Sequence, residues 1–212
     1  GVTRTPYNQY DSIILPMHKY LEPFGVDFTL KCTVTDLEFK DGEGITVTKM
    51  NVLREGAQDV IVVNEEDIVI VTNGSMTEGS SLGSMTSAPS LNGKGSSWKL
   101  WENIAAKKPG LGNPSSFDDH VDGSKWESFT VTFQDSKFFD LMEKFSRNRA
   151  GTGALVTFKD SSWFMSIVLA FQPHFRNQPE HVKVFWGYGL YPDKIGDFVK
   201  KRMCDCTGEE IM

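Results

Sequence analysis

Two phenols and two amides stand side by side at Tyr7-Asn8-Gln9-Tyr10, just ahead of a stretch with helical apolar spacing. A phenol acts as a general acid when its proton is aimed at a reacting atom; more commonly a buried tyrosine only satisfies its hydroxyl within the fold. Among the four histidines, His174 lies in Gln172-Pro173-His174-Phe175, directly after an apolar strand, where a polar group at the end of a sheet can face a cavity. His18, His120 and His181 share no metal-ligand spacing. Cys204-Asp205-Cys206 is a single C-x-C without a second Cys/His cluster, so no metal site is expected. The segment Asp67 to Gly74 has two readings. It is either the end of a strand whose small residues let the backbone approach a dinucleotide, or an ordinary buried strand followed by an Asn-Gly turn. Gly151-Thr152-Gly153-Ala154 has the glycines of a phosphate loop but runs into a strand instead of a helix, so it reads as a turn. A Walker pattern is missing, which argues against phosphoryl transfer.

These residues need elements to hold them. Ile13, Ile14, Met17, Leu21 and Phe24 recur at spacings of three and four, predicting a helix over 9–24 that Gly25 stops. A β-meander should follow, with strands over 26–39, 45–53 and 58–63 and a turn at Asp41-Gly42-Glu43-Gly44. Asp67 to Thr72 is a continuous apolar run, the pattern of a strand buried on both faces. The Gly- and Ser-rich stretch 73–97 is a boundary or long functional loop. Beyond it, Ser97 can cap a helix over 98–107 whose apolar side is Trp98, Trp101, Ile104 and Ala105. A strand over 129–133 precedes a helix opened by Asp135 or Ser136 with the stripe Phe138, Leu141, Met142 and Phe145. Residues 155–158 and 163–171 read as a hairpin, and 182–191 as a strand with Gly187 and Gly189 open to close approach. Thr207 and Glu210 have capping-box spacing, so a helix opens there and both ends read as belonging to something larger. The fold class is mixed, α+β or α/β.

A chain of 212 residues can bury a sizeable core in one or two domains. Its net charge of −6, with Lys200-Lys201-Arg202 as the clearest basic run, points away from a nucleic-acid partner. No run approaches the ~18 apolar residues of a membrane span. Three cysteines are too few for a secreted disulfide scaffold, so a reducing, cytoplasmic setting is expected.

Taken in order along the whole chain, several segments resemble the oleate hydratase (myosin-cross-reactive antigen) family. They are Tyr7 to Tyr10, Val71 to Glu78, Ser97 to Asn103, Asp160 to Ser166, Gln172 to Phe175 and Cys206 to Ile211. The resemblance implies the middle portion of an FAD-dependent enzyme that adds water to the cis double bond of an unsaturated fatty acid such as oleate, giving a 10-hydroxy acid. It assigns a tyrosine proton donor to Tyr7 or Tyr10, with Tyr7 favoured. Flavin contacts would come from Asn73, Gly74, Ser75, Met76, Thr77 and Glu78. The fatty-carboxylate region falls at His174, with Gln172 and Phe171; Val168, Ala170 and Phe171 depart from the polar residues that family members can carry there. The family's G-x-G-x-x-G segment and water-activating glutamate have no counterpart in these residues, so residues 1–212 alone are expected to be inactive.

By role, the resemblance divides the chain into part of an FAD-binding domain (1–75: helix, meander and buried strand), a mixed-sheet fatty-acid-binding domain (76–203) and the start of a helix leading onward (204–212). A homodimer and a peripheral membrane contact for substrate uptake are also implied. The rival readings are an amine-oxidase-like flavin oxidoreductase and a non-catalytic lipid-binding or antigenic fragment.

Overall fold

The computed structural model describes residues 4–42, 44–91, 93–153 and 155–212, so Glu43 and Ala154 of the two expected turns lie outside the described residues. In chain order the main elements are α1 (Leu15–Leu21), β1 (Cys32–Phe39), β2 (Val47–Arg54), β3 (Ala57–Val62) and α2 (Ser96–Lys107). The short helices α3 (Ser115–Asp118) and α4 (Val121–Ser124) precede β4 (Glu127–Phe133), α5 (Lys137–Ser146), β5 (Val156–Phe158), β6 (Met165–Leu169), β7 (Lys183–Gly189) and α6 (Gly208–Ile211). They pack as two units that interleave along the sequence: residues 28–82 with 90–124, and residues 1–27 with 83–89 and 125–212.

The first of these is the expected meander, antiparallel in the order β1-β2-β3, with α2 against β1. Leu37, Leu100 and Ile104 are buried at its centre, with Val34, Met50, Val71 and Trp101 around them. The register between β1 and β2 slips between Val34 and Asp36. A bulge of this kind leaves a backbone group outside the ladder, and here the Thr35 carbonyl accepts from Asn103 Nδ2 of α2 at 3.1 Å. One expectation fails. The run 67–72 is not a strand, and Ile68 and Ile70 are 88% and 86% exposed. A strand buried on both faces needs a ladder partner and two covering layers. Among the described residues β3 pairs only with β2, and Val71 alone of this run packs on the core.

The other unit holds a four-stranded antiparallel sheet in the order β4-β7-β6-β5. Val131, Phe139 and Phe185 form one buried cluster beneath α5, and Trp163, Met203 and Cys206 form another. The hairpin β5-β6 is where the sequence puts it. The stripe of α5 is rotated: Phe139 and Met142 are buried, whereas Leu141 and Phe145 are 63% and 69% exposed. Both glycines of β7 are indeed sites of close approach, and the chain itself fills them. A Cβ on Gly187 would lie 2.5 Å from the Phe129 ring, and one on Gly189 2.5 Å from Met203 Sδ. The helix at the N-terminus begins as a π turn, Tyr10–Ile14, continues as α1 and closes at Gly25 with φ +79°. The capping box forms as expected: Thr207 Oγ1 accepts from Glu210 N, and Glu210 Oε2 from Thr207 N at 3.0 Å.

Candidate active site

The Tyr7-Asn8 pair and the Gln172-His174 segment, far apart in sequence, meet in space. The His174 carbonyl accepts two hydrogen bonds from Asn8, one from its backbone N at 2.8 Å and one from Nδ2 at 3.1 Å. The same Nδ2 donates to Asp11 Oδ2 at 2.8 Å, and Asp11 N donates back to Asn8 Oδ1 at 2.9 Å. Asp11 Oδ2 also accepts from Arg176 N at 3.1 Å, while the Arg176 side chain donates to the Asp11 carbonyl at 3.3 Å. Arg176 Cζ stands 6.0 Å from the Tyr7 ring centroid, at the edge of cation–π range. Tyr7 is half-buried beside this cluster, whereas Tyr10 is 60% exposed. Helix periodicity explains the difference. Tyr7 precedes the first turn, where the chain is still bound to the His174 loop, and Tyr10 is on the helix itself.

On its other side His174 is gripped by glutamines. Its backbone N donates to Gln178 Oε1 at 2.9 Å. Gln178 Nε2 donates to Gln172 Oε1 at 2.8 Å and to the Val182 carbonyl at 2.7 Å. Gln172 Nε2 donates to the carbonyls of Ala170 and Val184, and its Oε1 also accepts from Val184 N. The Gln172 amide is therefore fully engaged with protein groups, each of which would be costly to leave unpaired. The Phe171 ring lies over Gly151, occupying the place a Cβ there would take.

His174 itself borders a pocket of about 190 Å³ lined also by Thr130, Ala170, Phe175, Val184 and Trp186. Burial pushes its pKa below the ordinary imidazole value, and the Asp11 carboxylate opposes that shift. The walls are apolar and aromatic with one imidazole and one hydroxyl. That is the composition of a site for a mainly hydrocarbon ligand with a polar end.

Residues 73–78 belong to the other unit. Gly74 has φ +73°, and the Trp98 ring fills the space where its side chain would stand. Glu78 closes the N-terminus of α2: its carboxylate accepts from Ser96 N at 2.8 Å, from Ser97 N at 2.9 Å and from both hydroxyls. The serine hydroxyls, with the backbone amides behind them, hold its pKa down at about 2. Ser75 Oγ and Thr77 Oγ1 are 3.0 Å apart, and Asn73 and Met76 are exposed. A helix N-terminus attracts anions, and in α2 this chain's own carboxylate already answers it.

The three cysteines are free thiols, with Cys204 and Cys206 buried and pushed upward in pKa by that burial. Among the described residues no group of three metal-ligating side chains converges, and no helix is long and apolar enough to cross a membrane. The sequence singles out Tyr7 and His174 by type but not the residues that surround them, Asn8, Asp11, Arg176 and Gln178. The one available signal was the cluster of amides around His174, since Gln172, Asn177 and Gln178 crowd a short loop. Nothing local to Asn8 announces a partner 166 positions away.

The profile of the MCRA family matches residues 1–212. The chain is 36% identical over 213 residues to an oleate hydratase of Streptococcus pyogenes serotype M49 (strain NZ131), covering 97% of this chain and 36% of that protein. It is 36% identical over 225 residues to a linoleate hydratase of Lactiplantibacillus plantarum, covering 100% of this chain and 40% of that protein. The chain thus spans less than half the length of these curated relatives. It belongs to the MCRA family.

Proposed function

We propose that the whole protein is an FAD-dependent fatty-acid hydratase, adding water to the cis double bond of oleate or a related acid to give a 10-hydroxy acid. The observation that carries this reading is the meeting of Tyr7-Asn8 with the His174 loop, which itself borders an apolar pocket, in a chain similar to an oleate and a linoleate hydratase. In this reading Tyr7, the less exposed of the two tyrosines, gives its phenolic proton to one alkene carbon. The C=C π pair forms the new C–H bond, and water supplies hydroxide to the other carbon and returns a proton to the protein. A donor fixed before the reaction lowers the cost of the positive charge that develops. His174 faces the fatty carboxylate end, and Ala170, Val184 and Trp186 shape the apolar wall.

Bound flavin would supply a fixed electrostatic surface, since hydration has no net redox change. Asn73, Ser75 and Thr77 have polar groups that fit a dinucleotide, and Met76 offers an apolar contact. Gly74 and Glu78 act through the loop they shape, because Trp98 and the α2 N-terminus already occupy them. The roles of residues 1–75, 76–203 and 204–212 as flavin, fatty-acid and connecting regions describe functional parts of the whole protein, as do a homodimer and membrane contact for substrate uptake.

The deciding experiment incubates the full-length protein with FAD and oleate and follows product by mass spectrometry. A gain of one water, lost by about 100-fold or more in Tyr7→Phe, is the expected result. No hydroxy acid from the wild type, or a Tyr7→Phe variant as fast as wild type, would overturn the assignment.

A further inference from the structure

His174 is the imidazole at the pocket, yet nothing in the sequence says what aims it. Its position is set at the peptide level. On one side its carbonyl receives both donors of Asn8, the backbone N at 2.8 Å and Nδ2 at 3.1 Å. On the other its N–H is taken by Gln178 Oε1 at 2.9 Å, an atom that also accepts from Phe175 N at 3.3 Å. Each clamp is itself braced. Asn8 Nδ2 reaches Asp11 Oδ2, and Gln178 Nε2 reaches Gln172 Oε1 and the Val182 carbonyl. Braced contacts of this sort fix a loop more firmly than packing does, because breaking one leaves half-buried donors and acceptors unpaired.

We infer that Asn8 and Gln178 are positioning residues which hold the His174 backbone so that its imidazole addresses the polar end of the fatty acid, with Asn8 also tying the Tyr7 segment to the same loop. The inference rests on the fatty-acid reading of the pocket. It assigns Asn8 a job distinct from the obvious one. Asn8 Oδ1 accepts from Asp11 N at 2.9 Å, which by itself is an ordinary helix-opening contact. Aspartate serves such a contact as well as asparagine does. Aspartate cannot donate to the His174 carbonyl, and it would set a second carboxylate against Asp11.

The two jobs therefore predict opposite orders. Full-length Asn8→Ala, Asn8→Asp, Gln178→Met and His174→Gln are compared for binding of stearate, which has no double bond to hydrate, and for the KM and kcat of oleate. Positioning predicts that Asn8→Asp weakens stearate at least as much as Asn8→Ala, by roughly tenfold. Gln178→Met, which keeps the volume but loses the acceptor, should do likewise. The KM for oleate rises by the same factor. Wild-type stearate binding by Asn8→Asp beside weakened binding by Asn8→Ala would leave a helix-opening role alone and overturn the inference.

NMR of the His174 imidazole, assigned by its loss in His174→Gln, separates this from the functional reading. The signal moves in Asn8→Asp and Gln178→Met if the clamp sets the ring. A stationary signal overturns the inference whatever stearate does. A moving signal in a protein that binds no stearate upholds the clamp and rejects the fatty-acid reading instead.

Discussion

Burial draws His174 toward its neutral form, and the Asp11 carboxylate draws it back. Asp11→Asn removes only the second influence, so the His174 pKa should fall further below 6.5, as followed by NMR titration. A pKa that stays or rises would mean that Asp11 does not act on the ring. The linkage has a definite sign. An imidazole whose folded pKa lies below its unfolded value leaves the native state binding fewer protons than the unfolded chain. The stability contribution is therefore complete above pH 6.5 and declines as pH falls through the folded pKa. Glu78 follows the same rule in a lower window. Its pKa drops from 4.5 to about 2 because the Ser96 and Ser97 hydroxyls and amides bind its charged form. Its contribution is present above pH 4.5 and is lost as pH falls toward 2. Replacing this cap with Glu78→Ala should cost about 1 kcal/mol, seen as faster amide exchange at Ser96 and Ser97 at neutral pH. Unchanged exchange would show that the first turn of α2 does not need the carboxylate.

Elements with a local cause were legible in the sequence. The capping box at Thr207 and Glu210, the hairpin β5-β6 and the stop at Gly25 each follow from a few neighbouring residues, and all three stand as expected. Elements whose state depends on what lies beside them were not. The run 67–72 has the composition of a buried strand but no ladder partner among the described residues, so Ile68 and Ile70 face solvent. The stripe of α5 was placed a notch away from the truth because Phe138 and Phe139 are both apolar, and only the sheet decides that Phe139 goes under. The glycines of β7 were rightly read as points of close approach, though the approaching groups turned out to be Phe129 and Met203. Gly187→Ala should therefore destabilise the protein by about 1–3 kcal/mol, as overpacked cores do. Gly123, which has open space around it within α4, is the control: Gly123→Ala should be neutral or gain up to about 1 kcal/mol. Chemical denaturation of the two variants settles the comparison, and equal midpoints would refute the role given to Phe129.

At the scale of the molecule, the site was half visible. Tyr7 and His174 could be singled out by type, but their convergence depends on a contact across 166 positions that no periodicity encodes. The pocket that His174 borders also limits what this portion can do by itself. At about 190 Å³ it is smaller than the roughly 300–1,000 Å³ of a site that encloses a drug-sized ligand. A long acyl chain would find only part of its surface covered there, and uncovered methylenes forfeit about 0.8 kcal/mol each of apolar transfer. Residues 1–212 produced as a separate polypeptide should accordingly bind stearate at least tenfold more weakly than the full-length protein, and should form no hydroxy acid from oleate with FAD added. Calorimetry with stearate and mass spectrometry of the oleate incubation test the two halves of this prediction. Equal affinity would mean that the His174 pocket and its surrounding sheet suffice for the acyl chain. Turnover by the separate polypeptide would move the whole of the proton and water chemistry into these residues, with Tyr7 as its first suspect.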